Sequence, residues 1–86
     1  MTTTPDSSGQ VTVRYWAGAR AAAGVGSDLV AASTVGEAVE AVRALHPALE
    51  PVLAVASFLV DGVASGPQAS LAPGGTVEVL PPFAGG

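Results

Sequence analysis

The last six residues, Pro81-Pro82-Phe83-Ala84-Gly85-Gly86, hold most of what this sequence offers for chemistry. Gly86 presents a carboxylate with no side chain beside it. A carboxylate with an unperturbed pKa of about 3.5 is ionised at neutral pH and is a poor electrophile until it is activated, most readily as an acyl adenylate made from ATP. Gly85 and Gly86 lack a Cβ, so they fit a narrow channel and take backbone angles closed to other residues. Pro81 and Pro82 cannot donate to a sheet ladder and favour extended geometry, so a strand ends before them and the chain projects outward. Six extended residues reach roughly 20 Å. The pattern predicts a tail that carries its terminal carboxylate into a partner's buried site. A frayed terminus of small residues is the bland alternative, and a lone Gly-Gly favours it. The strand and two prolines ahead of this Gly-Gly favour delivery.

Self-contained catalysis has little else to draw on. The sequence has no HExxH, GxGxxG or phosphate loop, and its single histidine, His46, precedes Pro47. At a helix end His46 suits the negative end of the dipole, a structural role. Glu37 and Glu40 resemble paired acids only on paper, because a first helical turn leaves them solvated beside the positive end of the dipole. Without cysteine there is no disulfide, thiolate metal site or thiol nucleophile, so any sulfur chemistry uses imported sulfur. Without lysine an activated terminus meets no side-chain amine of its own chain. Arginine in place of lysine also fits a coding bias. The chain is expected not to be an enzyme alone, and to bind no metal or cofactor itself.

The elements that must present this tail are legible as patterns. Val11 to Ala17 alternates, with Val11, Val13 and Tyr15 on one face and Thr12, Arg14 and Trp16 on the other, which predicts a strand with the first set in the core. Gly18 to Gly26 reads as a loop or short turn, and Ser27 to Ala32 as a second strand. Thr34-Val35-Gly36-Glu37 has capping-box spacing, with Thr34 accepting from the Glu37 amide and Glu37 reaching back to the Thr34 amide. A helix over 35–46 follows, with Val35, Val39, Val42 and Leu45 at helical spacing and Pro47 as its stop. Ala48 to Leu53 adds a short turn. Ser57 to Val60 reads as a third strand burying Phe58 and Val60 and turning at Asp61-Gly62, and Thr76 to Leu80 as the last, after a Pro73 to Gly75 turn. Strand, strand, helix, strand, strand predicts an α+β fold, a mixed sheet covered on one face by one main helix. Residues 1–10 read as a disordered arm, 11–80 as the domain and 81–86 as the flexible tail.

Trp16 and Leu80 break the core pattern, each lying on the face opposite its buried neighbour. If the first and last strands pair, the two form an apolar patch beside the tail, as an interface anchor would. Scattered surface apolar residues are the plain alternative.

Composition excludes several classes. Three Lys+Arg, all arginine, against seven Asp+Glu give a net charge of −4, so no basic stripe exists to neutralise phosphates and nucleic-acid binding is not expected. At 86 residues and 49% hydrophobic, one small folded domain is the limit. The longest apolar run, 51–60, is about half of the roughly 20 residues a bilayer requires, and the polar start lacks a secretory pattern, so no membrane association and a cytoplasmic location are expected.

Taken together, Val11-Thr12-Val13-Arg14-Tyr15-Trp16-Ala17 with Arg20, the capped helix from Thr34, and Leu71 through Pro81-Pro82-Phe83-Ala84-Gly85-Gly86 resemble the MoaD/ThiS-type sulfur carriers, which have the ubiquitin-like β-grasp fold. The Pro-Pro-x-x-Gly-Gly ending is most similar to the small subunit of molybdopterin synthase. The resemblance implies that a ubiquitin-activating-type adenylating enzyme (MoeB/ThiF-like), using ATP and Mg²⁺, adenylates Gly86. A persulfide donor then converts it to a thiocarboxylate. It further implies that residues Pro81 to Gly85 insert into a large synthase subunit (MoaE-like), whose side chains transfer the sulfur to cyclic pyranopterin monophosphate in molybdenum cofactor biosynthesis. Trp16 and Leu80 match apolar family positions that pack on that subunit. Asp61-Gly62, Gly36 and the ten-residue leader depart from the pattern. A carrier for thiazole or cysteine synthesis, and a ubiquitin-like interaction module, stay open as alternatives.

Overall fold

A computed structural model describes residues 9–82; the leader through Ser8 and the tail residues Phe83, Ala84, Gly85 and Gly86, with the arm and tail expectations that fall on them, lie outside the described residues. Strand β1 (Gln10–Tyr15) starts one residue ahead of the expected Val11 and buries Val11, Val13 and Tyr15 as its alternation requires. It pairs antiparallel with β2 (Ser27–Ala31) and parallel with β5 (Thr76–Leu80). Strand β3 (Ser57–Val60) runs antiparallel to β5 and pairs with a short edge strand, β4 (Val63–Ser65). The sheet is therefore mixed and five-stranded, in the order β2-β1-β5-β3-β4. The sequence reading had no β4, because three residues with exposed Val63 and Ala64 carry no alternation to read. The turn before it is as expected: Asp61 and Gly62 both take positive φ, 48° and 87°, the pair a two-residue hairpin of matching twist needs.

One face of the sheet carries the core. Helix α2 (Val35–Leu45) buries Val35, Ala38 and Val42 there. Its N-terminus is capped by the Thr34 side chain, which accepts from Glu37 N. The reciprocal half of the expected box is displaced by one residue: Glu37 accepts from the backbone N and hydroxyl of Ser33, both at 2.8 Å, and not from Thr34. Of the expected stripe, Leu45 is exposed and Val39 only half-buried, and Ala38, one turn after Thr34, is buried beside Val35 and Val42. Past Pro47 a 3-10 turn (Pro47–Leu49) and a single-turn α3 (Glu50–Leu53) insert Leu49 and Leu53 under the helix.

The segment expected to be a loop, Gly18 to Gly26, contains a helix, α1 (Ala17–Ala23), ended by Gly24 in the left-handed conformation. Alanine is the strongest helix former but gives no apolar contrast between faces, so the period is invisible in sequence although Ala19 is fully buried. The sheet face is thus covered by α1, α2 and the Pro47–Leu53 turns together. The opposite face has no element over it among the described residues.

Candidate functional site

The site is built from the ends of β1 and β5. Their parallel register sets Tyr15 beside Val79 and Arg14 beside Glu78, and the Trp16 amide continues the ladder by donating to Val79 O at 3.2 Å. Side chains alternate across the sheet, so burial of Tyr15 and Val79 sends Trp16, Glu78 and Leu80 to the uncovered face. The two strands end together, and Pro81 and Pro82 leave the sheet at this point. Trp16 is 39% exposed and Leu80 half-buried, and the β1–β5 pairing places both at the same end of the sheet. By register, Leu59 of β3 and Leu29 of β2 lie on the same face, and Leu29 is exposed. Pro81 is half-buried and Pro82 exposed. Gly86, with Phe83, Ala84 and Gly85, lies beyond the described residues.

Just after Trp16 the chain turns sharply. Ala17 takes φ 48°, which is uncommon for a residue with a Cβ, and so swings the backbone from β1 into α1. Trp16 O then accepts from Ala19 N at 2.9 Å. A cleft of about 270 Å³ opens here between the end of β1, the start of β2 and α1, lined by Arg14, Trp16, Arg20 and Ser27 among others. Arg43 bonds Glu40 and approaches Glu50 at 3.8 Å. Arg14 and Arg20 are therefore the arginines without a carboxylate partner among the described residues, and both line this one cleft.

The side chains set aside in sequence have structural work. His46 Nε2 donates to Asp28 Oδ2 at 2.6 Å, and the Tyr15 hydroxyl donates to the same oxygen at 2.8 Å, which ties the end of α2 to β1 and β2. Burial, followed by the hydrogen bond to Asp28 and its charge, holds the Tyr15 phenol well above its ordinary pKa. The bond Glu37 accepts from the Ser33 backbone, then that from its hydroxyl, lowers the Glu37 carboxyl. Neither arrangement places a nucleophile and a base on open surface. No cluster of metal-ligating side chains exists among the described residues, and no helix there is long and apolar enough to cross a membrane.

The sequence reading missed the company Trp16 keeps. The indole Nε1 donates to Glu78 Oε1 at 3.1 Å, and the Arg14 guanidinium carbon lies 5.0 Å from the ring centroid. Glu78 is 62 residues away in sequence, so no local spacing signals it; only the β1–β5 register brings it close.

A family model described as the ThiS family matches residues 13–86. Among solved structures, small archaeal modifier protein 1 from Haloferax volcanii superposes with a TM-score of 0.81 at 27% identity, over 91% of this chain and 100% of that one. A putative molybdopterin converting factor subunit 1 from Pyrococcus furiosus superposes at 0.77 with 24% identity, over 86% and 98%. The complex of subunits 1 and 2 of the molybdopterin-converting factor from Helicobacter pylori contains a chain that superposes at 0.68 with 20% identity, over 90% and 99%. The last two likenesses bear on the fold alone. No curated protein matches the chain.

Proposed function

This chain belongs to the ThiS family, with the α+β ubiquitin-like β-grasp fold, and from that premise we propose that it carries sulfur on Gly86 as the small subunit of a molybdopterin synthase. The observation that carries the reading is the common end of β1 and β5. It sets Trp16 and Leu80 on an uncovered face where Pro81 departs toward the Gly-Gly terminus. In the reaction proposed, a Gly86 carboxylate oxygen attacks the α-phosphorus of ATP in a MoeB/ThiF-like adenylating enzyme with Mg²⁺, and pyrophosphate leaves. The terminal sulfur of a persulfide attacks the acyl carbon and expels AMP, and a thiol cleaves the resulting acyl disulfide to leave the thiocarboxylate.

Sulfur then passes to cyclic pyranopterin monophosphate in the large, MoaE-like subunit, which supplies the catalytic side chains. Both steps need the tail end inside a buried site, so both partners seat the strand face from which the tail leaves. Trp16 and Leu80 anchor that face, and Pro81 to Gly85 fill the channel. The H. pylori relative stands in a complex with its subunit 2; here a large-subunit partner is proposed from the family and the tail.

A second reading rests on the likeness to a protein named a small archaeal modifier. The same activated carboxyl would then meet an amine of another protein. Pyrophosphate release by an adenylating enzyme, dependent on this chain and lost on deleting Gly86, tests the activation shared by both. Molybdopterin formed when the loaded chain meets a large subunit and its pyranopterin selects the first reading. Covalent adducts to target proteins, without molybdopterin, select the second.

A further inference from the structure

Trp16 is held in place before any partner arrives. Arg14 and Glu78 occupy directly paired positions on the parallel strands β1 and β5, on the same face of the sheet. They form no ion pair with each other among the described residues. The indole of Trp16 takes both instead: the Arg14 guanidinium lies over its face, 5.0 Å from the ring centroid, and Glu78 Oε1 accepts its N–H at 3.1 Å. This matches the charge distribution of an aromatic ring, negative on the face and positive at the edge. An exposed tryptophan otherwise samples several rotamers, and fixing one on binding costs affinity.

We propose that Glu78 and Arg14 are positioning residues that fix the Trp16 indole against the β1–β5 seam, so that the docking anchor is already ordered when the adenylating enzyme seats this face. The proposal rests on the reading that Trp16 anchors that docking. Glu78 is the stronger member, because its bond to the N–H fixes the ring's rotation as well as its plane. Neither residue touches the reacting carboxyl, so the clamp acts on carrier binding and leaves turnover of the bound complex unchanged.

The test uses the full chain and a ubiquitin-activating-type adenylating enzyme that turns over with the wild-type carrier, with ATP and Mg²⁺. Pyrophosphate release is read against carrier concentration, beside the fluorescence anisotropy of the chain's single tryptophan. Glu78→Ala is expected to lower the anisotropy and raise KM about two- to tenfold with kcat unchanged, the effect of ordering one side chain on binding. Glu78→Gln, whose amide oxygen still accepts from the indole, keeps both near wild type. Trp16→Ala raises KM at least as far, and Glu78→Ala adds nothing in that background. Unchanged anisotropy in Glu78→Ala overturns the clamp. A raised KM for Trp16→Ala beside an unchanged KM for Glu78→Ala overturns the proposal alone, whereas an unchanged KM for Trp16→Ala overturns the docking reading and the proposal with it.

Discussion

Raising the pH above 10 is expected to destabilise this protein through one side chain. Tyr15 is the only tyrosine, and in the absence of lysine and cysteine no other side chain titrates between roughly pH 9 and 12. The residue is 3% exposed and its hydroxyl donates to Asp28 Oδ2 at 2.8 Å. Desolvation comes first, then the bond to Asp28 and its charge; all three raise the folded-state pKa above the ordinary value. A group whose pKa is raised on folding stabilises the fold fully below its unfolded pKa, here about 10, and loses that contribution as pH rises through the window above it. The slope is about 1.4 kcal/mol per pH unit, so stability should fall by about 2 to 3 kcal/mol between pH 10 and 12. Urea unfolding at a series of pH values measures this directly, and tyrosinate absorbance follows the same ionisation. Tyr15→Phe should be about 1 kcal/mol less stable at pH 7, having lost one hydrogen bond while Asp28 keeps His46. Its stability should then be flat from pH 9 to 12. Ionisation of the folded wild type near pH 10, or an unchanged alkaline slope in Tyr15→Phe, would refute the inward placement of Tyr15. The outward placement of Trp16 would fall with it, since adjacent strand residues face opposite ways.

The face assignment at the other strand is tested by neighbours: Val79→Ala, at a fully buried position, should cost about 2 to 3 kcal/mol in denaturant unfolding, whereas Leu80→Ala, at a half-buried one, should cost only about 1 kcal/mol and weaken partner binding in calorimetry. Gly75→Ala should lower stability by about 1 to 3 kcal/mol, because a Cβ there would stand 3.0 Å from Ala72 O in a backbone pinned by the bonds from Gly75 N to Ala72 O and from Thr12 N to Gly75 O. Glu37, whose carboxyl is lowered by its bonds to Ser33, contributes stability present above its ordinary pKa of about 4.5 and lost as pH falls below it. Glu37→Gln should therefore be less stable than wild type at pH 7 and converge with it near pH 3 in thermal unfolding.

The parts of the fold legible in sequence are those where polar and apolar residues alternate with enough contrast. β1 and β5 each set Val and Tyr or Val against Thr, Arg and Glu, which fixed their faces and with them Trp16 and Leu80. Thr34 announced the start of α2 through its side-chain cap. Helix α1 escaped because alanine and glycine serve a buried and an exposed face equally well, and β4 because three residues at an edge need no pattern. The Arg14–Trp16–Glu78 arrangement was out of reach for another reason: it depends on a parallel pairing across more than sixty residues, and pairing register is a property of the assembled sheet. Of the candidate site, the strand-end patch could be anticipated from alternation; the charges that frame its tryptophan could not.

The measurement that bears most directly on the central claim is the intact mass of the chain after incubation with ATP, Mg²⁺, an adenylating enzyme and a persulfide donor, beside a control lacking Gly86. The account predicts a gain equal to the exchange of one oxygen for sulfur in the full chain and none in the control. An unchanged mass with an enzyme that demonstrably adenylates the chain, or the same gain in the control, would contradict sulfur carriage at Gly86.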